Sequence, residues 1–180
     1  MKLETMQDLL VDQLRDILGA ERQALKALPK LERAAQHPEL KQAFRDHRAE
    51  TERQVERVGQ ALQALGLGAR GKECRAMQAL IEEGEEMLEA EGSDAVRDAA
   101  LIIAAQRMEH YEISAYGSAI AHANLLGHDD VATLLEETLA EEKAADERLN
   151  ALAESDVNES DVNATAAAEM DGDVEGDEEE

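Results

Sequence analysis

The chain has 180 residues, with 42 Asp plus Glu against 18 Lys plus Arg and a formal net charge of −24 at pH 7. That sign excludes a compact binder of nucleic-acid phosphates, and 2% aromatic residues with no Trp leave no stacking platform for bases or sugars. The single cysteine, Cys74, excludes an intramolecular disulfide and a cysteine-rich metal site.

Apolar residues recur at three-to-four spacing along four long segments, rich in the good helix formers Ala, Leu, Glu, Gln and Arg. The first runs from about residue 4 to 35, with Leu14, Leu18, Leu25 and Leu28 along one stripe and Leu31 at its edge. Pro29 lies inside it and is expected to kink or divide it. The second follows His37-Pro38, with Pro38 suited to a first turn. Leu40, Phe44, Val58, Leu62 and Leu65 mark its buried side, and it stops near Gly66-Leu-Gly68. A short helix over about 75–90 carries Met77, Leu80, Ile81 and Leu88. Ser93 caps a long helix that reaches about Leu126. The last spans about Asp129 to Ala153, with Leu134, Leu135, Leu139, Leu149 and Leu152 inside.

Helices one and two are joined tightly, and so are the last two, so each pair packs antiparallel. About 25 residues separate the pairs, enough to cross the length of a bundle. The fold class expected is all-α: a ferritin-like four-helix bundle with a long crossover that contains a short fifth helix. A shift of 91 residues lays the first pair weakly on the second. Ala20-Glu21 falls on Tyr111-Glu112, His37-Pro-Glu-Leu40 on His128-Asp-Asp-Val131, and Glu50 on Glu141.

The bundle is expected over residues 1–153 and an acidic, disordered tail over 154–180. Residues 151–180 hold twelve acids and no Lys or Arg, and include the duplication Glu154-Ser-Asp-Val-Asn158, Glu159-Ser-Asp-Val-Asn163. The first 150 residues keep thirty acids against eighteen bases, a net of −12. Such a surface suits a salt-rich cytoplasm. The longest apolar run, Ala99 to Ala105, is far short of the roughly 20 residues that cross a bilayer. Glu4 and Asp8 leave no signal-peptide core. An intracellular protein with no membrane partner is expected.

The informative feature is which acids interrupt the apolar stripes. Glu21 is one turn from Leu18 and one from Leu25, so it points with them. His47 and Glu50 share a face of helix two. Glu109 and Glu112 lie between Ala105 and Tyr116 on the inner stripe of the long fourth segment. Glu142 falls among Leu135, Leu139 and Leu149, with Glu141 at its flank and Asp146 one turn later. Carboxylates from four helices at one level repel each other strongly, and two divalent cations reverse that sign. Oxygen-rich ligation favours iron(II), manganese(II), magnesium or calcium over copper or zinc. The bland alternative is that these acids lie at helix flanks and reach water.

The residues resemble those of the YciE/YciF family of ferritin-like proteins, over about residues 3–153. The carrying segments are Ala20-Glu21, Phe44-Arg-Asp-His47-Arg-Ala-Glu50-Thr-Glu-Arg-Gln54, Val96-Arg-Asp-Ala-Ala-Leu101, Glu109-His-Tyr-Glu-Ile113 with Tyr116-Gly117, and Glu137-Thr-Leu-Ala-Glu-Glu-Lys143 with Asp146. The resemblance implies a helical, usually dimeric protein associated with stress responses, without a firmly assigned activity. More distantly the chain looks like rubrerythrins and bacterioferritins. Those bind two irons through one Glu on each of two helices and a Glu-x-x-His on each of the others, and they reduce peroxide, oxidise iron or store it.

By that resemblance Glu21, Glu50, Glu112 and either Glu141 or Glu142 are metal ligands, with Glu109 an extra carboxylate. The chain departs from the pattern: Arg53 follows Glu50 by three residues, Ala144 follows Glu141, and Ala145 follows Glu142. Both usual histidines are missing. His47 and Asp146 are the substitutes at hand. Two iron or manganese ions are the cofactors implied, with peroxide reduction or iron oxidation as the reaction classes, and no catalytic residue is assigned. The rival function is a non-enzymatic helical homodimer, structural or interacting, with a metal-free bundle.

Other motifs carry less. His110 sits about 100° from Glu109 around the helix and is expected at the surface. Tyr111 can face either way. Tyr116 is expected in the core, within reach of a ligand. Cys74 has no histidine partner and is read as structural. Gly66-Leu-Gly-Ala-Arg-Gly-Lys72 has phosphate-loop spacing, but Glu73 stands where Ser or Thr is required and the stretch follows a helix, so that reading is rejected.

Overall fold

The computed structural model describes residues 3–89 and 91–154. The expected acidic tail, apart from Glu154, lies outside these residues. The described chain forms five helices: α1 Met6–Ala34, α2 Pro38–Ala64, α3 Arg75–Glu89, α4 Asp94–Leu126 and α5 Asp129–Glu154. Helix α1 packs on α2 and α4, and α5 on α4 and α2, which closes a four-helix ring; α3 lies outside against α4 and α1. This is the ferritin-like bundle with the short helix in its crossover.

The helix ends follow local chemistry. Thr5 and Asp8 form a reciprocal capping box at the start of α1. Ser93 caps α4 through the Val96 amide, and α4 ends at Gly127, whose φ of 74° is the left-handed conformation that glycine adopts without strain. At the turn between α1 and α2, the buried Asp98 of α4 accepts from the amides of Gln36 (2.8 Å) and His37 (2.6 Å). A carboxylate on a distant helix thereby fixes the angle of the first hairpin.

Helix α1 runs unbroken through Pro29, so of the two expected outcomes, a kink or a division, the division does not occur. Leu28 and Leu31 on either side of the proline are both buried, so packing holds the helix together across it. Leu31 is core rather than edge. Leu65, Leu134, Leu139 and Leu152 are only partly buried, and pack on the margins of the core rather than inside it. The crossover lies tight on α1: a Cβ at Gly19 would meet the Lys72 carbonyl oxygen at 1.7 Å, and the Lys72 amide bonds to the Arg15 carbonyl at 2.9 Å. Only glycine fits at that crossing.

The core has two main apolar plugs. One gathers Leu10, Leu14, Leu18, Val58, Leu62, Tyr116, Val131 and Leu135. The other gathers Leu28, Leu31, Leu40, Phe44, Leu101, Ile102 and Leu149. Along α1, α4 and α5 the inward acids, and along α2 the inward His47, fall between the two plugs in sequence. A smaller cluster of Ala20, Ala24, Ala27, Cys74, Met77 and Met108 fills the space under α3. No described helix is long and apolar enough to cross a membrane.

Candidate metal centre

Between the plugs, the inner faces of the four long helices carry charge. Glu21, Glu109, Glu112 and Glu142 have at most 3% of their surface exposed, and His47 has 6%. One ligand atom from each of His47, Glu109, Glu112 and Glu142 lies within 4.8 Å of the others, a spacing that suits a shared cation. The His47 imidazole bridges two acids, with Nε2 at 3.1 Å from Glu109 Oε1 and Nδ1 at 3.3 Å from Glu50 Oε2. Glu21 joins from α1, accepting a short hydrogen bond from the Tyr116 hydroxyl.

Satisfaction of these groups is incomplete. Glu21 Oε2, Glu109 Oε2, Glu112 Oε1 and both oxygens of Glu142 are buried with no hydrogen-bond donor. A buried polar atom without a partner costs roughly 1–3 kcal/mol, and more when charged. Five such oxygens, on glutamates from three helices, leave a demand that hard, oxygen-loving cations meet. The residues present therefore fit a carboxylate-bound metal.

Proton affinities report the same crowding. Burial pushes the Glu21 carboxyl up to about 7, against the pull of Tyr116 and His47. Glu112 and Glu142 are raised well above the carboxylate range, by burial first and then by neighbouring carboxylates. Glu142 has no hydrogen-bond donor but lies 3.8 Å from His47 Nε2, and a shared hydrogen bond with Glu109 favours its protonated form. For His47, burial disfavours the imidazolium, but Glu109, Glu50 and Glu112 outweigh it and raise its affinity. Glu109 is lowered: burial opposes ionisation, and His47 overcomes it. For His47, Glu112 and Glu142 the shifts favour proton uptake, the direction that offsets the negative charge a cation would also offset.

The remaining predicted residues lie elsewhere. Glu50 sits at the rim, its side chain 19% exposed, and takes an ion pair from Arg148 at 2.8 Å. Burial raises its carboxyl, but His47 and Arg148 bring it below its ordinary value. Glu141 points away from the cluster, toward Arg57 (2.5 Å) and the Gln54 amide (3.0 Å). Of the two candidates on α5, Glu142 is the one that enters the core. Asp146 lies apart from the cluster and faces α4, near Gln106 Nε2 and His110 Nε2 at 3.3 Å each. His110 is on the surface, as expected from its angle around the helix. Cys74 is buried, with its sulfur 3.0 Å from the Tyr111 hydroxyl, which donates to Asp16. Burial raises the thiol's pKa, which suits a structural role.

The sequence reading missed the arginines. Arg57 on α2 is buried, and donates to Thr138 Oγ1 (2.9 Å) as well as to Glu141. Arg148 on α5 performs the reciprocal task for Glu50. The signal was present in the 91-residue shift, which carries Arg57 onto Arg148 just as it carries Glu50 onto Glu141. Two crossed clasps therefore join α2 to α5, each made of an arginine from one helix and a glutamate from the other. The same shift sets His47 on Thr138 and Thr51 on Glu142. At those two positions the halves differ, and both buried ionisable residues there belong to the cluster.

Comparison with known proteins gives a consistent picture. A family described as a domain of unknown function, DUF892, matches residues 5–161. Protein YciF of Escherichia coli strain K12 is 44% identical over 164 residues, spanning 91% of this chain and 99% of its own length. The crystal structure of the E. coli stress protein YciF superposes with a TM-score of 0.81 at 45% identity, over 84% of this chain and 96% of that one. YcfI of Rhodopseudomonas palustris, provisionally described as a structural protein, gives a TM-score of 0.82 at 44% identity, over 83% of this chain and 95% of that one.

Proposed function

This chain belongs to the DUF892 family, that of the YciF stress proteins, and from that membership we propose that its bundle core is a carboxylate-rich centre for two iron or manganese ions. One observation carries the reading: His47, Glu109, Glu112 and Glu142 each bring a ligand atom within 4.8 Å of the others, and five buried carboxylate oxygens of Glu21, Glu109, Glu112 and Glu142 have no donor. Glu109, Glu112, Glu142 and His47 would hold one ion, and Glu21 with Glu50 would complete the pair. Bound iron or manganese would supply the electrons for peroxide reduction, or iron(II) would itself be oxidised there.

The chain's own residues define the rest of the chemistry. Tyr116 donates to Glu21, which fixes that carboxylate and leaves its second oxygen buried without a donor. The apolar plugs on either side exclude bulk water and strengthen every charge interaction between them. His47, Glu112 and Glu142 release protons as cations enter, so binding tightens as pH rises.

Elemental analysis of untagged native protein, coupled to a peroxide-consumption assay on the same sample, tests the reading. Stoichiometric iron or manganese is the expected result. Full metal content in Glu142→Gln would remove the site proposed here. The competing reading is a metal-free structural homodimer. It is favoured by the His47–Glu109 ion pair, which meets part of the cluster's demand without a metal. Thermal stability unchanged by chelation would select it. The chain is expected to sediment as a homodimer, to fractionate with the cytoplasm and to gain folding stability in molar KCl.

A further inference from the structure

The crossed clasps between α2 and α5 are equivalent in sequence but not in burial. Arg57 has a side chain 9% exposed and is held by Thr138 as well as by Glu141, whereas Arg148 is 42% exposed. The Arg57 clasp is built into the core, and Glu141 is not released from it. The Arg148 clasp sits at the surface, where water replaces the guanidinium at little cost.

Glu50 is thus shared. Its Oε2 lies 2.8 Å from Arg148 and 3.3 Å from His47, at the edge of the buried cluster. The four groups that lie within 4.8 Å of one another do not include it. A first cation finds His47, Glu109, Glu112 and Glu142 already gathered. A second must draw on Glu21, which is engaged by Tyr116, and on Glu50, which is engaged by Arg148.

From this juxtaposition we infer that Arg148 competes with a divalent cation for Glu50, so that the centre fills in two unequal steps and Arg148 sets the second. The inference rests on the dinuclear reading given above. Arg148 acts as a regulating residue here: it touches no ion, and withholds one carboxylate until the second ion displaces it. Glu50 then turns from the arginine toward the core, and the guanidinium is left in solvent. The occupancy of the second position becomes dependent on cation concentration, while the first stays filled.

Manganese(II) titration of the full-length, chelator-stripped protein, followed by calorimetry and by the loss of the free-ion electron paramagnetic resonance signal, reads both steps. The expected wild-type result is two ions, the first bound at least tenfold more tightly than the second. Arg148→Met should tighten the second step about three- to tenfold, the worth of a surface ion pair, and leave the first within twofold. Arg148→Lys should restore wild-type behaviour in part. Glu50→Gln should weaken the second step alone. A second step that does not move in Arg148→Met, or equal affinities in the wild type, overturns the inference while the dinuclear centre stands. One ion bound by both the wild type and Arg148→Met overturns it as well, together with the second position. Failure to bind any manganese in wild type and variants removes the metal reading itself.

Discussion

The hairpin of α1 and α2 and the hairpin of α4 and α5 are built to one plan and diverge where it matters. Each starts its second helix at an equivalent position, Pro38 or Asp129, and each sends a glutamate inward from its first helix, Glu21 or Glu112. Each also offers a glutamate and an arginine to the crossed clasps, Glu50 and Arg57 on one side and Glu141 and Arg148 on the other. The divergence lies in the groups beside the clasps. Helix α2 presents His47 where α5 presents Thr138, and α5 presents Glu142 where α2 presents Thr51. Helix α4 adds Glu109, and α1 has Leu18 at the corresponding place. A near-symmetric frame thus holds an asymmetric set of ionisable groups. The lesson is that inward charge is tolerated in this core when groups of opposite sign, shared protons or cations meet it, and each half supplies a different part of that set.

Breaking the buried clasp should have the largest effect. Arg57→Met removes the donor shared by Glu141 and Thr138, and leaves Glu141 with only the Gln54 amide. A loss of about 3 kcal/mol in urea unfolding is expected, the usual scale for removing one partner of a buried pair. Arg57→Lys should recover only part of it, because a single ammonium cannot reach both Thr138 and Glu141 with the guanidinium's geometry. A change below 1 kcal/mol would mean that the two clasps are equally superficial.

Next in size is the response to pH of the metal-free protein. Glu21 is raised from 4.5 to about 7 in the folded state. Between those values the folded chain binds more protons than the unfolded one, so stability is highest near the lower value and falls as pH rises through the window. The Glu21 share is about 3 kcal/mol. Glu112 and Glu142 shift the same way and add to it. Urea midpoints measured in chelator at pH 5 and pH 7.5 check the sign, and saturating manganese(II) should reverse it. A chelated protein more stable at the higher pH would contradict the crowded-carboxylate description.

Tyr116→Phe should come third. It removes the donor to Glu21 Oε1 and leaves a second oxygen of that carboxylate unpaired. A destabilisation of about 1–2 kcal/mol is expected in chelator, smaller with manganese(II) bound. Arg148→Met comes last. The half-exposed clasp should contribute less than about 1 kcal/mol to folding, and circular dichroism melts should shift by no more than a few degrees. The contrast between Arg57→Met and Arg148→Met is the sharpest measure of how far the two halves have parted.

Much of this was legible in the residues. The period of the leucines gave the helices, and Pro38, Ser93 and the Gly66-Leu-Gly68 stretch marked helix ends within a few positions. The inward direction of Glu21, Glu109, Glu112 and Glu142 followed from one-turn spacing to apolar neighbours, because the helix repeat is rigid over a few turns. Spacing was weaker for Glu50 and Asp146. Both lie on faces that are neither core nor surface, and an arginine or a glutamine on a neighbouring helix decides their direction. It could not choose between Glu141 and Glu142, which differ by one position on the wheel.

The sequence by itself therefore determined that this chain is a bundle of long helices with acids turned inward at one level, since periodicity is local and survives any change of partner. Only the tertiary structure decided which acids meet. Arg57 and Arg148 act across about ninety residues of chain, and the distance from a guanidinium to a carboxylate depends on how α2 and α5 are rotated against each other. That rotation draws Glu141 out of the core and leaves Glu142 in it, holds Glu50 at the rim, and sets His47 against Glu109.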